Sequence, residues 1–146
     1  MSKRIVICAD GTWNRPEKDP RKDHPTNVQR IAQAIQPRAA DGIAQQAFYD
    51  DGLGWYQIPW SSGFAGNGVQ GSIIDAYRYV VQNYESGDEL FFFGFSRGAY
   101  VVRSLCGLIN NCGILKRAHT RLIHSAFDHY KRAWPDYAPA GKASAA

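Results

Sequence analysis

The segment Glu89-Leu90-Phe91-Phe92-Phe93-Gly94-Phe95-Ser96-Arg97-Gly98-Ala99-Tyr100 decides how the rest of the chain is read. An apolar run ends in Gly-Phe-Ser-Arg-Gly and passes at once into a helical pattern. This is the G-x-S-x-G form of a nucleophile elbow, in which a strand stops, one residue turns sharply and a helix begins. Leu90 to Phe93 is continuously apolar, the pattern of a strand covered on both faces. Ser96 is expected to hold a strained backbone that lifts its hydroxyl above the strand's C-terminal end. Gly94 and Gly98 lack Cβ atoms, so strand and helix can close around it. The helix N-terminus beneath Ser96 offers unpaired N–H groups and a positive dipole end. The Arg97 amide is then placed to donate to a developing oxyanion. The plainer alternative is a glycine-flanked turn in which Ser96 only caps the helix.

Working outward, Lys3-Arg4 lead into Ile5 to Ala9, a β-branched run typical of a buried parallel strand that ends at Asp10-Gly11-Thr12-Trp13-Asn14. Arg15 to Pro25 is polar and proline-rich and reads as an exposed loop. Thr26 or Asn27 caps a helix from Val28 to about Ile35, with Val28, Ile31, Ala32 and Ile35 on one face. Ala47-Phe48-Tyr49 reads as a second strand ending at Asp50-Asp51-Gly52-Leu53-Gly54. Trp55 to Gly68 is irregular and aromatic, either a functional cover or a glycine-rich loop pinned by buried rings. Ser72 to Tyr84 is a helix, Glu89 to Phe95 the third strand, Arg97 to Asn110 the helix after the elbow. A last helix is expected from His119 to Trp134, with Leu122, Ile123, Ala126, Phe127 and Tyr130 inward. The tail after Pro135 is expected to be loose. This alternation implies an α/β fold with a mainly parallel sheet and right-handed crossovers. Sites in such sheets form at strand C-terminal ends, here at the loops Asp10–Asn14, Asp50–Gly54 and Gly94–Gly98.

The 146 residues fit one domain with a packed core, given 45% hydrophobic and 21% charged residues. The net charge of +4 is spread out, apart from a modest group at Lys116, Arg117 and Arg121, so nucleic acid is not an expected partner. The three cysteines, Cys8, Cys106 and Cys112, form no C-x-x-C pair and are expected as reduced thiols packed like small hydrophobes, in the cytoplasm. No run is long enough for a signal-peptide core or a membrane span, and signal-independent export stays compatible with that.

Four stretches together resemble a known family: Ile7-Cys8-Ala9-Asp10-Gly11-Thr12-Trp13-Asn14, Pro25-Thr26-Asn27-Val28, Tyr49-Asp50-Asp51-Gly52-Leu53-Gly54, and Gly87-Asp88-Glu89 with Gly94 to Tyr100. They are similar to DUF2235, the catalytic part of Tle1-like phospholipase effectors of type VI secretion. The similarity runs from about Arg4 to Trp134. The resemblance implies part of an α/β-hydrolase fold, a three-layer sandwich with strand order 2-1-3, acting on carboxylic esters including phospholipids. On that template the loop from Asp10 lies beside Ser96. Gly11 or Thr12 then gives the second oxyanion donor with Arg97, while Asp10 shapes the loop. Asp50 and Asp51, flanked by glycine, are read as turn-shaping carboxylates.

A serine nucleophile needs a base and an orienting acid, and in α/β-hydrolases both follow it in chain order. After Ser96 come His119, His124, His129, Asp128 and Asp136, with every histidine in a helical pattern that matches a structural helix of the family. The resemblance therefore implies an N-terminal portion, residues 1–134, whose acid and histidine belong to later strands. Its corollary is a third strand with a bare edge, to be covered by a missing C-terminal region or a partner. The alternative is a non-catalytic fragment that keeps the elbow as structure. Two weaker signals fail. Gly66-Asn67-Gly68-Val69-Gln70-Gly71 fits G-x-G-x-x-G but no strand stands before it, so it reads as a flexible approach to a helix and no dinucleotide cofactor is expected. Ala9-Asp10-Gly11-Thr12 is similar to an aspartate-nucleophile phosphatase motif, but Cys8 stands where the first carboxylate is required. No cluster has metal-ligand spacing.

Overall fold

The computed structural model describes residues 2–11, 24–52 and 66–132. Its elements are β1 (Lys3–Ala9), α1 (Asn27–Ala34), β2 (Ala44–Asp50), α2 (Gly66–Asn83), β3 (Glu89–Gly94), α3 (Arg97–Cys112), a short 3₁₀ segment (Arg117–Leu122) and α4 (Ile123–Lys131). The three strands are parallel in the order β2-β1-β3. Ala9 is level with Asp50 on one side and Gly94 on the other, so the three strands end together.

Alternation along β1 sets the layers. Ile5, Ile7 and Ala9 pack with Ile73, Ala76, Tyr77 and Val80 of α2 and with Val101, Leu105 and Leu108 of α3. Val6 and Cys8 face the other way, against Val28 of α1. Burial pushes the Cys8 thiol up to about 11, helped by the nearby Asp10 charge. Thr26 is the cap of α1, its hydroxyl accepting from the Gln29 amide at 3.0 Å.

Several boundaries differ from the sequence expectations. β2 begins at Ala44, because hydrogen bonds to β1 hold even the polar Gln45 and Gln46 in register. α2 begins at Gly66 rather than Ser72, so the glycine-rich stretch is its first turns and not a flexible approach; Val69 packs on the core one turn before Ile73. The expected last helix is broken into the 3₁₀ segment and α4, with non-helical backbone at His119. The tighter 3₁₀ winding turns Leu122 outward, while Ile123 and Phe127 remain buried. Cys106 is exposed instead of packed. β3 is covered on one face only: Leu90 and Phe92 join the core, whereas Phe91, Phe93 and Phe95 are exposed. The aromatic segment after Leu53 and the tail after Pro135 lie outside the described residues, apart from the start of α2.

Candidate active site

The turn from β3 into α3 is built around Ser96. Its backbone has φ 53° and ψ −120°, the one positive φ of a non-glycine residue among those described. That conformation costs about 1–3 kcal/mol in an L-residue and persists only where the surroundings enforce it. The enforcement is visible. The Phe95 amide donates to Ala9 O (3.1 Å), the Gly98 amide to Phe95 O (2.9 Å) and the Ala99 amide to Ser96 O (3.1 Å). A Cβ on Gly98 would lie 2.0 Å from Ala9 O, and one on Gly94 would lie 2.5 Å from Gly98 O. Only glycine lets α3 start this close to the end of β1. Ser96 is exposed and makes no side-chain capping bond, so its hydroxyl is not engaged in holding the helix. Among the described residues the Arg97 amide finds no acceptor.

Beside this turn lies Asp10, 2% exposed. Its Oδ1 accepts from the Gly11 amide at 2.9 Å. Its Oδ2 accepts from the Thr26 hydroxyl and, at 3.0 Å, from the Tyr49 hydroxyl. Asp10 thus ties the β1 loop to the cap of α1 and to the end of β2. Burial, then the bond to Asp10, raises the Tyr49 phenol well above its ordinary value. The Asp10 amide donates to Asp50 O at 2.8 Å, and Asp50 Oδ1 accepts from the Gly52 amide at 2.9 Å, closing the second loop. Asp51 is exposed. The Gly11 amide is already engaged by Asp10; the other expected donor, Thr12, lies outside the described residues. Thr26 and Tyr49 were not foreseen as parts of this site. Their signal was their presence inside two of the quoted motifs.

The three loops border a small open cleft, lined in part by Asp10, Asp50, Val69, Ser72, Arg97 and Val101. The histidines after Ser96 are elsewhere. α4 meets α3 where Tyr130 lies against Gly107 and the Cys112 thiol donates to Ala126 O. Those contacts are roughly 15 Å or more along α3 from the elbow, at 1.5 Å per residue. Among the described residues no group of His, Cys, Asp or Glu could hold a metal ion, and no helix is long and apolar enough to cross a membrane.

Comparison with known proteins matches residues 3–145 to the family model for the type VI secretion phospholipase effector, Tle1-like, catalytic domain. The chain is also 27% identical, over 147 aligned residues, to an uncharacterized protein of Saccharomyces cerevisiae. That alignment covers 89% of this chain and 20% of the yeast protein, so the chain spans about a fifth of that relative's length. No solved structure matches it.

Proposed function

The chain belongs to the Tle1-like phospholipase effector catalytic-domain family, and from that premise we propose that it carries the nucleophile of a serine ester hydrolase acting on phospholipids. The single observation that carries the proposal is Ser96, held at positive φ with a hydroxyl free of any capping duty. Strain retained at an exposed polar residue points to function.

In the proposed reaction, Ser96 Oγ attacks the acyl carbonyl as a base removes its proton. The tetrahedral oxyanion is held by the Arg97 amide and by a second main-chain amide, that of Gly11 or Thr12. A donor of this kind is worth about 10²–10³ in kcat. The proton passes to the departing alcohol, and water then hydrolyses the acyl-enzyme. The setting of His119 in the kinked 3₁₀ segment and of His124 and His129 in α4, away from the elbow, supports a base and acid supplied from outside the described residues. Among the described strands β3 pairs only with β1, which supports further strands or a partner along its other edge, and the exposed Phe91 and Phe93 support a cover over its second face. Free thiols at Cys8, Cys106 and Cys112 support synthesis in a reducing compartment.

The test is a fluorophosphonate probe on the folded chain, on a Ser96→Ala control and on the urea-unfolded chain. An oxyanion hole retains catalytic power of about 10³–10⁴ without its triad partners, so the folded chain should label at Ser96 well ahead of the unfolded one, and the control not at all. Equal rates would favour a non-catalytic domain that keeps the elbow only as structure.

A further inference from the structure

The Arg97 side chain is placed against local physical preference. It opens α3, a 16-residue helix with no acidic residue in its first turn, where unpaired N–H groups and the helix dipole disfavour a cation. It is half-buried. Among the described residues the Arg97 guanidinium has neither ion pair nor hydrogen bond; Arg30, Arg103, Lys116, Arg117 and Arg121 share that lack, but they are exposed to water and Arg97 is less so. Asp10 and Asp50 line the same cleft, and neither bonds to the guanidinium. Asp10 is engaged by Gly11, Thr26 and Tyr49, and Asp50 receives the Gly52 amide. Arg97 also lines the cleft and directly follows the strained Ser96. Local conflicts of this kind are kept where function requires them.

We infer that the Arg97 side chain receives the phosphodiester of a glycerophospholipid and so sets that lipid's ester over Ser96. This rests on the ester-hydrolase reading of the site and adds the group that selects the substrate. A guanidinium suits the task because its planar fork donates two parallel hydrogen bonds to phosphate oxygens. The first amides of α3 reinforce it, since they too favour an anion. The cleft is open to solvent, so the phosphodiester meets the guanidinium at its mouth and the acyl chains lie outside it. The role belongs to the side chain alone; any residue at position 97 except proline keeps the backbone amide assigned to the oxyanion.

The test is binding in the Ser96→Ala chain, where no hydrolysis interferes. The probes are a short-chain phosphatidylcholine below its micellar concentration, the matched neutral diacylglycerol, and inorganic phosphate, titrated with NMR detection. Arg97→Gln should weaken the phospholipid about tenfold and leave the diacylglycerol unchanged. Arg97→Lys should keep part of the difference. Thermal unfolding of Arg97→Gln should be no lower than that of the parent, because a cation is removed from a helix N-terminus. An equal loss for both lipids, no loss for the phospholipid, or inorganic phosphate binding as tightly as the phospholipid would overturn the assignment. Failure of fluorophosphonate labelling with phospholipid selectivity intact would instead remove only the hydrolase reading.

Discussion

At the N-terminal end of the sheet every charge that bears on the strands is matched. Asp88, with its side chain 1% exposed, accepts from the Lys3 amide at 2.8 Å, the Lys3 ammonium at 2.5 Å and the Glu85 amide at 2.8 Å. Arg4 bridges Glu89 at 2.9 Å and Asp41 at 2.7 Å. At the C-terminal end of the same strands, Ser96 is strained, Arg97 has no partner among the described residues, and helix and strand meet so closely that only glycine fits. The first end joins β1 to β3 by satisfied polar groups and contributes stability. The second gives stability up in several places within a few residues. When one sheet is matched at one end and frustrated at the other, the frustrated end is where selection has favoured something besides stability.

The contrast can be broken first at Gly98. Gly98→Ala puts a methyl 2.0 Å from Ala9 O, a backbone atom that cannot step aside. We expect a loss of at least about 3 kcal/mol, or failure to fold, measured by urea unfolding. At the matched end, Asp88→Asn removes the counter-charge of a half-buried Lys3 and should cost roughly 2–3 kcal/mol, below the range for fully buried pairs. Its pH signature follows from the direction of the shift. Burial pushes the Asp88 carboxyl up, but the Lys3 ammonium and the amides of Lys3 and Glu85 outweigh it and hold the group below its ordinary value. A depressed carboxylate contributes stability above its unfolded pKa of about 3.9 and loses it as pH falls through the folded value. The gap between wild type and Asp88→Asn should therefore stay constant from pH 7 to about 4 and close below that. The smallest effect has the opposite sign. Ser96→Gly relieves about 1–3 kcal/mol of strain and adds about 0.5–1 kcal/mol of chain entropy to be lost on folding. A net gain of about 1 kcal/mol is expected, together with complete loss of labelling. A destabilised Ser96→Gly would remove the contrast between the two ends.

What was legible in the chain was local. The elbow could be read because strand, turn and helix follow one another within twelve residues, Glu89 to Tyr100. The three loops could be placed together because parallel strands in register end at one side of the sheet. Contacts distant in sequence were not legible. Lys3 and Asp88 are separated by 85 positions, and Thr26 and Tyr49 reach Asp10 only once α1 and β2 are in place. Helix propensity misled at Gly66–Gly71, where packing of Val69 outweighs the entropy of three glycines. Leu122 was misread because one 3.6-residue period was assumed across a 3₁₀ segment. Arg97 was read for its amide alone, since the surroundings of its side chain depend on elements distant in sequence.

The most direct test of the account is a crystal structure of the chain after reaction with a small fluorophosphonate. We predict phosphorus bonded to Ser96 Oγ, with one phosphonyl oxygen about 2.7–3.1 Å from the Arg97 amide nitrogen, the spacing of an oxyanion donor. A phosphonyl group turned away from that amide, or attached to another residue, would contradict it.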